Sequence, residues 1–437
     1  MNKVEFGALF LEPLRNGVTK PKRVRGSGYK MVNMGEIFSL SFIQNQTMDR
    51  VPLTDKEKAT TLLQNNDLLF ARQSLVRDGA GKCSIFLNDN EPVCFESHII
   101  RVRLNQELCY PMFYYYFFSS RLGKNTMDKI IEQGAGAAGI RGSDLAKLEV
   151  PYIGYSKQKE IADSLYSFDQ KIQLNTQINQ TLEQIAQALF KSWFVDFDPV
   201  RAKAQALSDG MSLEQAELAA IQAISGKTPE ELTALSQTQP DRYAELAETA
   251  KAFPCEMVEV DGGEVPKGWE YQYLKDICNI VYGKNLPTTK LIKEGYPVFG
   301  GNGVIGYYDK FLYETPQTLV SCRGAASGKV LYSLPYSFVT NNSLVIEHEK
   351  SGLSYFYIYE VLKLQNLTEL TSGSAQPQMT IANMAAVQIL VPSEKINEVC
   401  KKYLGTLYNQ IYQNNIENET LAQTRDLLLP RLLNGEI

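Results

Sequence analysis

The chain has 437 residues, 44% of them apolar and 21% charged, with a formal net charge of −5. That composition excludes a collagen-like or disordered chain, and the length leaves room for about three separately cored segments. The longest apolar run, residues 110–118, falls well short of the roughly 18 residues that span a bilayer, and no charged-then-apolar leader opens the sequence, so cytoplasmic residence is expected.

In chain order, residues 1–150 read as a first mixed α/β domain, 151–200 as a first long helix, and 201–262 as an acidic helical linker. Residues 263–390 then read as a second mixed domain and 391–437 as a second long helix with the C-terminus. The linker carries two or three short helices punctuated by Ser225-Gly226, Thr228-Pro229 and Gln239-Pro240. Residues 205–264 hold 12 Asp/Glu against 3 Lys/Arg, an excess of nine negative charges that leaves +4 for the rest of the chain. By contrast, residues 15–30 contain six basic side chains and no acid, so the acidic total does not argue against a nucleic-acid partner. The second domain is announced by V-P-K-G-W-E (265–270) and is rich in Tyr, Val, Gly and Asn in short runs, which predicts irregular strands; the first domain has no tryptophan counterpart to Trp269. Pro430 is expected to end the second helix near Leu429.

An internal repeat organises the chain. N-Q-T-L-E-Q (179–184) recurs as N-E-T-L-A-Q (418–423), 239 residues later, and each copy follows a Val-Pro pair, at 150–151 and 391–392. Upstream, L-L-F-A-R-Q-S-L-V-R-D-G-A-G-K-C-S (68–84) is loosely echoed by T-L-V-S-C-R-G-A-A-S-G-K-V (318–330). Steps of four and three from Ile161 give Leu165, Phe168, Ile172, Asn175, Asn179, Leu182, Ala186, Leu189 and Trp193. From Cys400 they give Leu404, Leu407, Ile411, Asn414, Asn418, Leu421, Arg425, Leu428 and Leu432. Asparagines interrupt both seams at their midpoints, so antiparallel helices related by a local two-fold would pair Asn175 with Asn418 and Asn179 with Asn414 and penalise any slip in register.

Catalytic motifs fail in context. G-N-G-V-I-G (301–306) matches a dinucleotide fingerprint, yet a strand-like run follows it instead of a helix. G-A-G-K (79–82) and G-A-A-S-G-K (324–329) have the wrong spacing for a P-loop. Asp241, Glu248 and Lys251 are spaced too widely for a nuclease cluster, and seven well-separated cysteines show no C-x-x-C, so neither metal nor disulfide is indicated. The two histidines, His98 and His348, sit in strand-like runs and read as structural. The chain therefore reads as non-catalytic.

What both mixed domains do hold is basic side chains interleaved with aromatics and amides. The first offers Arg15, Lys22, Arg23, Arg25, Tyr29, Lys30, Asn33, Arg72, Ser74, Arg77 and Lys82, and the second Lys284, Lys290, Asn302, Tyr307, Tyr308, Lys310, Arg323, Ser327 and Lys329. Arg and Lys suit phosphates or guanine edges, and Asn or Gln suits adenine, so these are the candidate DNA-binding residues.

Several strings together resemble the DNA-specificity subunit of type I restriction-modification systems: E-P-L-R-N-G (12–17), V-N-M-G-E-I-F (32–38), D-L-L-F-A-R-Q-S-L (67–75), F-E-S-H-I-I-R-V-R (95–103), G-I-R-G-S-D-L-A (139–146), A-L-F-K-S-W-F-V-D-F-D-P-V (188–200) and P-K-G-W-E (266–270). The resemblance implies an α+β fold in which two mixed α/β target-recognition domains are separated by two long helices packed as an antiparallel, pseudo-two-fold coiled coil. It implies an asymmetric, split double-stranded DNA target with a non-specific spacer, and two docked copies of the modification methyltransferase subunit. A restriction/translocase subunit would complete the complex. This chain would bind no cofactor and no metal; S-adenosylmethionine, ATP and Mg would belong to partner subunits. About 40 helical residues span roughly 60 Å, which would cap the half-site separation at about 18 base pairs, and adding four residues to one helix would alter the spacer but not the half-sites. The alternatives are a coiled-coil scaffold that does not bind DNA and a cryptic nuclease. Loss of a specific gel shift on changing Arg72 and Arg323 to Ala separates the first, and magnesium-dependent plasmid cleavage by the chain alone separates the second.

Overall fold

The computed structural model describes residues 2–134, 136–261, 263–371 and 378–434. The chain divides into two units, residues 1–175 with 416–437, and residues 176–415.

In the first unit the opening strand Asn2–Glu5 pairs antiparallel with Glu149–Tyr152. Between them, a five-stranded sheet runs in the order Arg15–Asn16, Ile99–Val102, Leu68–Ala71, Cys83–Phe86, Phe42–Ile43. A second sheet places Tyr29–Val32 between Asp49–Val51 and Val93–Phe95, the last pairing parallel. The helix Pro111–Ser119 is apolar on every face, as a helix enclosed on all sides must be, and starts with proline, which needs no hydrogen-bond acceptor there. Its buried tyrosine hydroxyls find partners: Tyr114 donates to the Pro151 carbonyl at 3.1 Å and Tyr116 to Asp169 Oδ2 at 2.6 Å. Beside the sheet, Arg103 bonds both oxygens of buried Asp67 and also Glu12, which holds Arg101 at 2.7 Å. Burial pushes the Asp67 carboxyl upward, and Arg103 opposes that rise. E-P-L-R, D-L-L-F and R-V-R are thus three parts of one buried ion network.

The second unit repeats the plan. Glu270–Tyr273 pairs antiparallel with Gln388–Val391, a four-stranded sheet runs Asn279–Tyr282, Ser343–Glu347, Thr318–Ser321, Val330–Tyr332, and a three-stranded sheet runs Gly303–Tyr308, Tyr296–Gly300, Phe338–Val339. Phe6 N–H donates to the Leu148 carbonyl at 2.8 Å, and Leu274 N–H to the Val387 carbonyl at 2.9 Å, so the 239-residue offset of the helices extends back into the closing strands. The equivalent of Val150-Pro151 is therefore Ile389-Leu390 and not the Val-Pro pair at 391–392, which corrects the sequence alignment by two residues. Asn2–Glu5 takes the place of Glu270–Tyr273, and Trp269, just before the latter, packs on Phe194 and Phe197 at the end of the first long helix.

The break after the first long helix is made by A-L-F-K-S-W-F-V-D-F-D-P-V. Phe190, Trp193, Phe194, Phe197 and Val200 are all buried in one core with Trp269, and Phe197 adopts a left-handed backbone at φ 58° between two helices. Beyond it lie four helices: Asp198–Ser208, Leu213–Ser225, Pro229–Thr238 and Pro240–Ala252. The sequence reading of two or three is short because Pro240 ends one helix and opens the next with no loop between them. Capping boxes at Ser212 and Thr228 fix two of the other starts. The module packs on the second long helix through Thr249 against the Tyr403 hydroxyl at 3.0 Å and Lys402 against Glu245 at 2.6 Å. Lys203 is buried and donates to the Phe253 carbonyl at 2.8 Å, and burial lowers its pKa.

The two long helices run Tyr155–Phe194 and Glu394–Asn434. Pro430 lies inside the second, contrary to the expected stop at Leu429. Pro430 lacks an N–H and so loses one helical hydrogen bond, while Leu429 is buried and Leu428 and Leu432 pack partly buried in the first unit's core with Ile161 and Leu165. In each unit the helices are antiparallel. Within the first, Asn175 Nδ2 donates to Asn418 Oδ1 at 3.0 Å and to Glu417 at 2.7 Å, and Arg425 fills its seam position by pairing with Asp169. Within the second, Asn414 Nδ2 donates to Asn179 Oδ1 at 2.8 Å, and Asn179 Nδ2 to Asn415 Oδ1 at 2.9 Å.

Asp169 and Tyr408 are equivalent by the 239-residue offset, and each anchors its domain's helix with the roles exchanged. Tyr116 donates to the carboxylate of Asp169, whereas Tyr408 donates to the carboxylate of Glu360 on the helix Tyr355–Leu364. Arg425 neutralises Asp169, but among the described residues no cation hydrogen-bonds Glu360, and burial raises its pKa above the ordinary value.

Two outcomes follow from these contacts. N179L leaves a buried Asn414 donor unpaired and should destabilise by about 1–3 kcal/mol, whereas N179L/N414L together should be near neutral, read from urea unfolding midpoints. Because the folded Glu360 pKa lies above its unfolded one, its stabilising contribution is complete at low pH and is lost as pH rises through the raised value. E360Q should therefore unfold at higher urea than wild type at pH 8, with the gap closing toward pH 4.5; a gap that widens on acidification would refute this.

Candidate nucleic-acid interface

The two sequence echoes build the same loop. In the first unit Ala71 N–H donates to the Lys82 carbonyl at 2.9 Å, Gly81 N–H to the Ala71 carbonyl at 2.8 Å, Arg72 N–H to the His98 carbonyl at 2.8 Å and Ile140 N–H to the Arg72 carbonyl at 3.0 Å. In the second, Ser321 N–H donates to the Lys329 carbonyl at 2.9 Å, Gly328 N–H to the Ser321 carbonyl at 2.9 Å, Cys322 N–H to the Asn342 carbonyl at 2.9 Å and Met379 N–H to the Cys322 carbonyl at 3.2 Å. Gly81 and Gly328 both take positive φ, 75° and 90°, which a side chain would disfavour. These bonds equate Arg72 with buried Cys322, Lys82 with Lys329, and Gln73 with Arg323, which bridge to Gly139 and Gln378 respectively. The first loop is longer by Ser74-Leu75-Val76, and Leu75 and Val76 stand exposed.

The candidate side chains fall into two groups. Arg25 bonds Asp49 at 2.6 Å and Asn33 Oδ1 at 3.1 Å, while the Asn33 backbone joins a capping box with Glu36. Lys30 bonds Asp89 and Glu91, which raises its pKa, and Arg77 bonds Asp128 Oδ1 at 2.8 Å. Lys82 donates to the Phe38 carbonyl at 2.6 Å, Ser74 Oγ accepts from Val76 N–H at 3.2 Å, and Tyr29 lies under the Lys58 ammonium at 5.8 Å. In the second unit Lys329 donates to Asn302 Oδ1 at 3.3 Å, Tyr308 packs edge-on against Phe338, and Ser327 is buried. For these residues the intramolecular contacts give a reason to be present that needs no ligand.

The other group has side chains without a hydrogen-bond or ionic partner among the described residues: exposed Arg15, Lys22, Arg23, Lys284, Lys290, Lys310 and Arg323, half-buried Arg72 and Tyr307. Gln73 belongs with them, exposed and unpartnered, and the sequence inventory passed over it because a lone glutamine beside an arginine carries no charge signal. Such side chains keep their donors for a ligand, and the chemistry on offer is phosphate and base-edge binding. Among the described residues no group of His, Cys, Asp or Glu is arranged to hold a metal ion, and no helix is long and apolar enough to cross a membrane.

The model of the type I restriction modification DNA specificity domain matches residues 14–184 and 266–423, most of the chain and both copies of the repeat. The chain belongs to this family, whose members are specificity subunits and not catalytic ones. It is 39% identical to the type I restriction enzyme HindI specificity subunit of Haemophilus influenzae, over 93% of this chain and 94% of that protein. It is 23% identical to the MjaIX specificity subunit of Methanocaldococcus jannaschii, over 74% of this chain and 68% of that one. A crystal structure of a type I restriction-modification S subunit from M. genitalium shares the fold, with a TM-score of 0.53 at 18% identity and coverage of 99% of this chain and 95% of that one.

The two groups should separate on substitution. R77A removes bonds to Asp128 and should lower the unfolding midpoint slightly, whereas R323A should melt within about 0.5 kcal/mol of wild type and still weaken the specific gel shift of the assembled complex.

Proposed function

We propose that this chain reads an asymmetric double-stranded DNA target in two half-sites, one per mixed domain, separated by a spacer that no side chain reads. Supporting the reading is one observation above the others: a loop with the same backbone bonds recurs in each unit, with unpartnered basic side chains on it or on the strands around it and different residues at equivalent places. Equal frames with unequal side chains suit unlike half-sites.

On this reading the long helices dock two copies of the modification methyltransferase subunit, which brings S-adenosylmethionine. A restriction/translocase subunit supplies ATP- and Mg-dependent steps, and this chain contributes only the address, in the cytoplasm. The helix Tyr155–Phe194 has 40 residues, a length of roughly 60 Å that would set the spacer.

Methylation-site mapping in cells carrying the complex should return two dissimilar half-sites with a constant gap. Inserting one heptad into each long helix lengthens it by roughly 10 Å and should widen the gap by about three base pairs while both half-sites persist. Altered half-sites with an unaltered gap would refute the assignment.

A further inference from the structure

We propose that Gln73 and Arg323 are the equivalent base-reading residues of the two units, Gln73 taking an adenine and Arg323 a guanine in the major groove. The inference rests on the DNA-reading function above and names the residues that carry it.

Position is the first support. Aligned by sequence, the two loops place arginine near arginine; aligned by their backbone bonds, Gln73 and Arg323 occupy the same place, one residue past the pair whose carbonyls accept from Ile140 and Met379. Each is bridged to a returning segment, Gln73 to Gly139 and Arg323 to Gln378, so the main chain is fixed while the side chain is exposed. Gly139 has no side chain to cover the Gln73 amide. Neither Gln73 nor Arg323 makes a side-chain hydrogen bond among the described residues, so neither has a structural duty to explain it.

Residue type is the second. Glutamine can bond adenine N6 and N7 together, and arginine guanine O6 and N7, and these pairings require a side chain held on a rigid base. The neighbouring positions supply a contrast. Lys82 and Lys329 are equivalent and identical, and each is engaged inside its own unit, by the Phe38 carbonyl and by Asn302. Gln73 and Arg323 are equivalent and different, as contacts to unlike bases require. Arg72, by comparison, is equivalent to buried Cys322, which cannot present a donor to a ligand in the second unit.

The test uses the complex assembled with its modification subunits and methylation-site mapping of wild type, Q73R and R323Q. Q73R should change one adenine to guanine in the first unit's half-site, and R323Q one guanine to adenine in the second's, each with the other half-site and the gap intact and a preference of roughly 5- to 150-fold transferred. Unchanged half-sites in both variants would overturn the inference while leaving the split-target reading intact; absence of any split target in wild type would overturn that reading itself. Should the variants fail to assemble, gel shifts of the wild-type complex on targets carrying 7-deazaadenine or 7-deazaguanine decide the matter. A sensitive adenine in one half-site and a sensitive guanine in the other support the proposal, provided Q73A and R323A each abolish one sensitivity, and no sensitive position refutes it.

Discussion

An amide buried in an apolar helical seam must find a polar partner, and that requirement fixes the register on which both units are built. Asn175 meets Asn418 in the first unit and Asn414 meets Asn179 in the second, and a slip by one turn would leave donors in the core without acceptors. Each mixed domain is then tied to its half of the helical pair by a tyrosine hydroxyl on a carboxylate, at positions the register determines. The exchange of roles between Asp169 and Tyr408 shows that the repeat preserves the bond and not the residue. What it does not preserve is the charge environment. Arg425 stands beside Asp169, while its repeat equivalent next to Tyr408 is Ala186, which leaves Glu360 as a carboxylate that burial disfavours.

Much of the frame was legible in the sequence. Heptad steps marked the four asparagines because polar residues stand out against an apolar seam, and the 239-residue offset located the second copy. The end of the second helix was misjudged because local propensity was weighed without packing: a proline costs one hydrogen bond, and three leucines around it recover apolar burial. Arg425 stands at a seam position whose reason the sequence does not show, since its partner Asp169 lies on the other helix 256 residues away in sequence.

The candidate site was legible in kind but not in detail. Charge counting found the basic segments, yet it could not tell Arg25, engaged by Asp49, from Arg323, which has no such partner. It also could not align the two loops, because the three extra residues Ser74, Leu75 and Val76 put the arginines out of step. Backbone hydrogen bonds removed that ambiguity. The strings that most strongly carried the family resemblance turned out to hold cores together: the aromatic run ending the first long helix packs on Trp269, and the arginines of R-V-R serve the buried network around Asp67.

This division has a physical consequence for how such a chain can change its target. Gly17 and Gly283 pack so closely on the carbonyls of Phe95 and Val339 that an added Cβ would come within 1.9 and 2.5 Å of them, and Gly81 and Gly328 share a left-handed turn. Those four glycines fix the main chain around each loop in a way few substitutions can satisfy. Positions such as 73 and 323, by contrast, contribute little to either core, so their side chains can vary at small cost in stability. A frame made intolerant at its glycines and tolerant at its exposed edge can present a new side chain to a ligand without refolding. The two units, alike in backbone and unlike at that edge, are two settings of one device.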